Sequence, residues 1–132
     1  MEYNKWAFHD IEPVYLQLIH KIKYAILSKR LSAGESLPSV REMANLLRIS
    51  SNTVQKAYNH MHHLGLIAST SNKHYSVIAN ESYIIQKRDE EARELCCQYL
   101  SNMISLGFSK NEAVDFLIAY SSKLKEPSNS NL

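Results

Sequence analysis

The chain has 132 residues, of which 45% are hydrophobic, so we expect a small globular domain with at most a short appendage. The lack of any run of about 18 apolar residues excludes a membrane span, and the first residues lack the basic and apolar segments of a signal peptide, so we expect a cytoplasmic protein. Residues 1–80 hold nine basic and five acidic side chains, whereas residues 81–132 hold six and eight, which favours a polyanionic partner for the N-terminal part.

The first predicted helix covers residues 13–29. Proline at its start suits the first helical turn, because the missing N–H group would have no partner there. Apolar side chains recur at helical spacing from Leu18 through Ile22 to Ile26 and mark the buried face. Gly34 lies in the polar stretch that follows and is the expected turn residue.

Two short helices follow, each with a capping signal at its start. Ser39 and Glu42 form a capping box, which predicts a helix over residues 40–47. Ser50 is the expected N-cap of a third helix over residues 51–64. Only three residues separate the two helices, and this spacing is typical of a helix-turn-helix.

A small hairpin is predicted after the third helix, which ends at Gly65. Residues 66–68 and 75–78 are short apolar stretches that indicate strands, and the polar residues 69–74 between them indicate the turn. Because an isolated hairpin is only marginally stable, we expect this wing to pack on the helices.

Two further helices are predicted in the C-terminal part. The fourth covers residues 82–106, and its apolar stripe is too long to be covered by the first three helices and the hairpin, which together form a small head. A second capping box, Ser109 with Glu112, opens the fifth helix. The chain is polar from Glu126 onward and is expected to be disordered there. The predicted fold is therefore mainly α: three helices and a small β-hairpin as a winged helix-turn-helix, then two C-terminal helices.

Few side chains in the sequence suggest metal or catalytic chemistry. His60 and His63 share a helix face with His62 nearby, but no Cys or carboxylate completes a metal site. Cys96 and Cys97 are adjacent and are interpreted as small apolar residues on a helix. No phosphate-binding loop, nucleophile elbow or carboxylate pair is present. We therefore predict no metal, no cofactor and no enzyme activity, with a metal-responsive regulator as an alternative.

The first three helices resemble the GntR family of bacterial regulators over residues 13–67. The runs that carry the resemblance are Leu37-Pro38-Ser39-Val40-Arg41-Glu42-Met43-Ala44 and Asn52-Thr53-Val54-Gln55-Lys56-Ala57-Tyr58. Most relatives have a large C-terminal effector domain, whereas only about fifty residues remain here, too few for such a domain. The Ala57-Tyr58 pair and the turn Leu106-Gly107-Phe108-Ser109 are similar to the YtrA-type subfamily.

The resemblance implies a sequence-specific bacterial transcription regulator, a homodimeric repressor that binds a palindromic operator in double-stranded DNA. It implies a DNA-binding domain over residues 1–80 and a helical dimerisation region over residues 81–125, which precede the tail over residues 126–132 that is expected to be disordered from its composition. A small-molecule effector of unknown chemistry is compatible with this assignment.

The third helix is the expected recognition helix, because such a helix presents its N-terminal residues to base edges in the major groove. Asn and Gln can pair with adenine, and Arg41 matches the arginine of the family's Ser-Val-Arg motif, which reaches a guanine or a phosphate. Hydroxyl groups and basic side chains would bind phosphates. The predicted DNA-binding residues are Ser39, Arg41, Arg48, Ser50, Ser51, Asn52, Thr53, Gln55, Lys56, Lys73 and His74.

The predicted wing departs from the family pattern. The family's Gly-x-Gly-Thr-Phe-Val aligns with residues 72–77, where both glycines are absent, although Asn72 tolerates a left-handed turn. Arginines common in relatives are also replaced by Ser51 and Gln55. These departures leave open an alternative function, a winged-helix protein-interaction module with weak or lost DNA binding.

The apolar stripes of the two C-terminal helices are expected to meet a second copy of the chain. The predicted interface residues are Leu95, Tyr99, Leu100, Met103, Phe116, Leu117 and Tyr120. The pattern does not separate an interface role from packing within one chain.

Overall fold

The computed structural model describes residues 1–71 and 74–124, which form five α-helices, one short 3-10 helix and a two-stranded antiparallel sheet. The α-helices are α1 (Val14–Leu27), α2 (Val40–Leu47), α3 (Ser51–His63), α4 (Glu81–Ser105) and α5 (Lys110–Ser121), and the strands are β1 (Ile67–Ser71) and β2 (His74–Val77). The predicted mainly α, winged helix-turn-helix fold is confirmed. The predicted disordered tail, residues 126–132, lies outside the described residues.

Helix α1 forms the centre of the core and ends earlier than predicted. Leu18, Ile22 and Ile26 are fully buried, as their spacing predicts. The helix stops at Leu27 because Lys29 has a φ of 65°, in the left-handed region that a side chain normally disfavours. The sequence places no glycine at this position, so the predicted end at residue 29 is wrong by two residues.

Helices α2 and α3 have the predicted starts. The Ser39 hydroxyl accepts a hydrogen bond from the Glu42 N–H at 3.1 Å, and the Glu42 carboxylate accepts one from the Ser39 N–H at 3.0 Å. Arg48 ends α2 with a φ of 57°, which reverses the chain within the three-residue turn. Ser50 then caps α3 by accepting a hydrogen bond from the Thr53 N–H at 3.1 Å.

Strand β1 of the wing is longer than its predicted segment, whereas β2 has the predicted length. Strand β1 continues to Ser71, which pairs with His74, and the register shifts between Ser69 and Ser71. Strand β2 begins and ends one residue before the predicted segment. Asn72, which tolerates a left-handed turn, lies outside the described residues, as does Lys73.

The connection between α1 and α2 holds the wing against the helices. The Gly34 N–H donates a hydrogen bond to the Val77 carbonyl at 2.8 Å, and the Val77 N–H donates one to the Glu35 carbonyl at 2.9 Å. The Leu37 N–H donates another to the Tyr75 carbonyl at 2.8 Å. Ser36 also forms an isolated bridge with Ser76 of β2, and β1 contacts α3, so the wing packs on the rest of the head as expected.

The N-terminal segment, which shows no helical or strand periodicity in the sequence, is part of the core. Tyr3 and Trp6 are buried, and their rings meet edge to face with centroids 5.1 Å apart. The 3-10 helix Tyr3–Lys5 packs against α2. These first residues therefore support the helix that carries Arg41.

Helix α4 extends away from the head, and α5 packs back along it, so that the two helices form a helical hairpin. In the N-terminal half of α4, Glu91 accepts a hydrogen bond from the Lys23 ammonium group at 3.1 Å, which joins α4 to α1. At the far end, Met103 and Ala113 are buried against each other's helix. No helix in the described ranges is long and apolar enough to cross a membrane.

Candidate nucleic-acid interface

The polar start of α3 projects from the head, as predicted. The helix buries Val54, Tyr58 and Met61 in the core, so that its opposite face is turned outward. Ser51 and Asn52 are exposed on its first turn and form no hydrogen bond with other described side chains. Their polar groups are therefore available to bases or phosphates.

The hydroxyl groups at the start of α3 are partly committed to the cap. Ser50 Oγ and Thr53 Oγ1 lie 2.7 Å apart and share one hydroxyl hydrogen. Because Ser50 Oγ also accepts the Thr53 N–H, the pair keeps one hydroxyl hydrogen for an outside acceptor. A phosphate oxygen is a suitable acceptor at this position.

The start of α2 offers less to a phosphate than the sequence suggests. The backbone N–H of Ser39 donates to the Glu42 carboxylate and is not free, although the Ser39 hydroxyl still has a hydrogen to donate. Hydrogen bonds from the Ser39 backbone and then its side chain lower the pKa of Glu42, which keeps this carboxylate charged. A negative charge at this position opposes close phosphate approach.

Arg41 and Arg48 are the two exposed guanidinium groups beside the turn of the helix-turn-helix. Arg41 lies on the first turn of α2 and Arg48 follows its last residue. Neither forms a hydrogen bond or an ion pair within residues 1–71 and 74–124, so both can meet phosphate or base acceptors without breaking an internal contact.

Gln55 has intramolecular partners that the sequence does not predict. Its Nε2 donates a hydrogen bond to Asn59 Oδ1 at 2.8 Å and another to the Tyr75 hydroxyl at 3.2 Å. The first partner is one helical turn away, but Tyr75 belongs to the wing, twenty positions further on. No local signal in the sequence identifies that contact.

Lys56 is exposed, and its side chain packs on an aromatic ring. Its ammonium nitrogen lies 3.9 Å from the centre of the Tyr15 ring, which is cation–π geometry. Tyr15 is on the first turn of α1 and is half-buried. The positive charge is therefore oriented in advance and remains open to a phosphate on its exposed side.

The wing contributes His74 to this surface. His74 is exposed at the start of β2, and its charge is one of the smaller causes of the lowered Glu42 pKa. His74 pairs with Ser71 at the turn end of the wing, so this end of the wing lies on the side of the head that carries the start of α2. Lys73 was predicted to bind DNA and lies outside the described residues.

Three histidines lie close together in sequence at the end of α3. His60, His62 and His63 are exposed, and His62 Nδ1 lies 3.1 Å from the Ile67 carbonyl oxygen. No group of three or more His, Cys, Asp or Glu side chains within the described part of the chain is arranged to hold a metal ion.

The predicted interface residues of the C-terminal hairpin differ in how far they are exposed. Met103 is only 8% exposed, and Tyr99 donates its hydroxyl hydrogen to the Ala113 carbonyl at 2.7 Å, so both stabilise the hairpin itself. Leu100 is half-buried. The residues that remain about half exposed are Leu95, Phe116, Leu117 and Tyr120.

Comparison with known proteins agrees with this architecture. Residues 14–75 match the family model "Bacterial regulatory proteins, gntR family". The chain is 31% identical over 108 residues to the uncharacterized HTH-type transcriptional regulator YhcF of Bacillus subtilis, a match that covers 82% of this chain and 89% of that protein. Because 108 aligned residues exceed the length of the head, the similarity extends into the C-terminal helices.

Two further relatives support the same assignment. The HTH-type transcriptional repressor YtrA of Bacillus subtilis is 40% identical over 55 residues, which is 42% of each chain. The solved structure of a GntR family transcriptional regulator from Listeria monocytogenes superposes with a TM-score of 0.79 at 29% identity, covering 89% of this chain and all of that one. The chain therefore belongs to the gntR family of bacterial regulatory proteins and is a transcriptional regulator with a DNA-binding helix-turn-helix.

Proposed function

We propose that this regulator is a homodimeric repressor that binds an operator with two-fold symmetry. The observation that carries the proposal is the apolar surface of the α4–α5 hairpin, which the head does not cover. In this assignment residues 1–80 form the DNA-binding head and residues 81–125 form the dimerisation region.

The hairpin exposes more large apolar side chains than a stable monomer normally tolerates. Those at least 44% exposed on α4, on α5 and in the turn between them are Ile85, Leu95, Ile104, Leu106, Val114, Phe116, Leu117, Ile118 and Tyr120. Monomeric proteins rarely leave such surfaces in water, and a second copy would cover them through a self-complementary contact. A dimer is the simplest assembly that does so.

A dimer of this kind presents α3 twice, once from each head. Two recognition helices related by a two-fold axis read half-sites about one helical turn, roughly 34 Å, apart in inverted orientation. The operator is therefore expected to be palindromic. The name of the relative YtrA gives it as a repressor, which supports the same direction of control here.

Sedimentation velocity combined with DNA binding tests this proposal. The wild-type protein should sediment as a dimer at micromolar concentration and select inverted repeats from a pool of random duplexes. Leu117→Glu places a charge on the exposed apolar surface and should yield monomers with at least tenfold weaker binding to the selected duplex. Asn111→Glu is the matched control, because it adds the same charge to an exposed position of α5, and it should remain dimeric.

Other outcomes would contradict the proposal. A wild-type monomer would remove the dimeric arrangement. Binding that ignores sequence, or no binding at low salt, would favour a protein-interaction module.

A promoter–reporter fusion that carries the selected site tests repression. If the regulator is a repressor, expression of the reporter should rise when the regulator is deleted.

A further inference from the structure

We infer that the wing residue Tyr75 sets the base preference of Gln55, by fixing which hydrogen-bonding group of that side chain faces the DNA. The inference rests on the proposed function, because it concerns how the recognition helix reads an operator. Tyr75 is not among the residues that the sequence predicts to bind DNA.

The position of the Tyr75 hydroxyl is strongly determined. The Tyr75 carbonyl accepts a hydrogen bond from the Leu37 N–H, and the residue pairs with Ser69 of β1. Its ring packs edge to face on Tyr58, with centroids 4.8 Å apart. Tyr58 is fully buried and donates its own hydroxyl hydrogen to the Pro38 carbonyl at 2.7 Å. Tyr75 is therefore fixed through both its backbone and its ring.

The fixed hydroxyl group limits what Gln55 can offer. The Gln55 Nε2 group has two hydrogens; one is donated to Asn59 Oδ1 at 2.8 Å and the other to the Tyr75 hydroxyl at 3.2 Å. Both donors are therefore used within the protein. The carboxamide oxygen, Oε1, remains as an acceptor on the half-buried side chain.

An acceptor alone reads bases differently from a complete carboxamide. Bidentate pairing of Gln with adenine uses the carboxamide oxygen for the adenine N6 amino group and the nitrogen for adenine N7. With its nitrogen committed, Gln55 can accept one hydrogen bond from a base amino group, and both adenine N6 and cytosine N4 supply one in the major groove. The wild-type protein should therefore bind adenine and cytosine with similar affinity at this position.

Removing the Tyr75 hydroxyl tests this inference directly. Tyr75→Phe keeps the ring on Tyr58 but releases one Nε2 hydrogen, which allows bidentate pairing with adenine. The base pair that faces Gln55 is located first, as the operator position at which the Gln55→Ala variant no longer discriminates between bases. At that pair, the ratio of adenine to cytosine affinity, measured by anisotropy with matched duplexes, should rise about tenfold in Tyr75→Phe.

Tyr24→Phe provides the control. It also removes one hydroxyl from a half-buried tyrosine, but its hydrogen-bond partner is Glu91 at 3.3 Å on α4, away from α3. The adenine-to-cytosine ratio should not change in this variant. Thermal unfolding of both variants confirms that any change in ratio occurs in a folded protein.

The possible failures are distinguishable. An unchanged adenine-to-cytosine ratio in folded Tyr75→Phe overturns the role of Tyr75. A Gln55→Ala variant that keeps full selectivity at every position overturns it as well. In both cases the regulator still binds its operator, so the proposed function stands. If the wild-type protein selects no sequence, the proposed function fails and this inference fails with it.

Discussion

The Tyr83 hydroxyl donates a hydrogen bond to the Leu64 carbonyl oxygen at 2.5 Å and so joins the first turn of α4 to the end of the recognition helix. Gly65, which follows Leu64, has a φ of 76°, and a Cβ atom at this position would lie 3.2 Å from the Tyr83 hydroxyl oxygen. The carbonyl is one of the unpaired groups at a helix C-terminus, and the tyrosine satisfies it. The C-terminal hairpin and α3 therefore meet at a direct polar contact.

Replacement of Tyr83 by Phe should destabilise the protein. The change leaves the Leu64 carbonyl without its donor, and the loss of one such hydrogen bond costs about 1 kcal/mol of unfolding free energy. Urea denaturation of the purified protein measures the difference. Tyr15→Phe is the matched control, because the Tyr15 hydroxyl has no hydrogen-bond partner in the described part of the chain and the residue lies on α1, outside the proposed dimer interface. Equal stability of the two variants would show that the contact contributes nothing.

Helix starts were the feature most accurately predicted from the sequence. A capping box places its two partners three residues apart, so Ser39 with Glu42 and Ser109 with Glu112 are readable without tertiary information. Both boxes form as predicted, and α2 has the predicted bounds. These starts are predictable because both hydrogen bonds of a capping box join residues only three positions apart.

The features that were missed depend on tertiary contacts or on backbone conformations without a sequence signal. Lys29 and Arg48 adopt left-handed φ values that the sequence would assign to glycine or asparagine. The Gln55–Tyr75 hydrogen bond joins two elements whose packing is set by the whole core. Similarly, Met103 has the same helical spacing as an interface residue, and only the observed hairpin identifies it as core.

Arg41 offers a test of base reading against phosphate binding. Arg41→Ala should weaken binding to the selected operator by about 1–3 kcal/mol and relax selectivity at one base pair if the guanidinium reads a base. The prediction follows from its exposure on α2 and its freedom from internal partners among the described residues. Binding measured on operator and scrambled duplexes separates the two roles, since equal weakening on both indicates a phosphate contact.

Arg93→Ala is the control for this experiment. Arg93 is exposed on α4 and forms an ion pair with Asp89 at 2.7 Å, so its removal also deletes one positive charge. Its effect on both duplexes should be small, because the charge lies outside the proposed interface. A loss as large as that of Arg41→Ala would point to a general effect of net charge.

Lys56 should contribute to affinity without contributing to sequence preference. A lysine that neutralises one phosphate releases about one counterion, so Lys56→Ala should lower the slope of log K against log salt by about 0.9. Anisotropy titrations at several salt concentrations measure this slope. Tyr15→Leu should give a smaller loss of affinity with the slope retained, because it removes the ring 3.9 Å from the ammonium nitrogen but keeps the charge. An unchanged slope in Lys56→Ala would place this residue away from the phosphates.

The two capping carboxylates should make stability depend on pH in the acid range. Backbone and side-chain hydrogen bonds from Ser39 lower the pKa of Glu42 below 4.5, and those from Ser109 do the same for Glu112. A lowered pKa in the folded state means that the unfolded chain binds more protons at these groups in this range. Their contribution is therefore present above pH 4.5 and is lost as the pH falls through the folded pKa values.

The double variant Glu42→Gln and Glu112→Gln tests this pH dependence. Gln keeps an acceptor for both capping boxes but does not titrate, so the fall in unfolding free energy below pH 4.5 should become shallower than in the wild-type protein. Urea denaturation from about pH 3 to about pH 6 measures both curves. Glu94→Gln is the control, because Glu94 is exposed on α4 without a hydrogen-bond partner among the described residues. If the double variant and the wild-type protein lost stability in parallel, the capping carboxylates would not be the source of acid sensitivity.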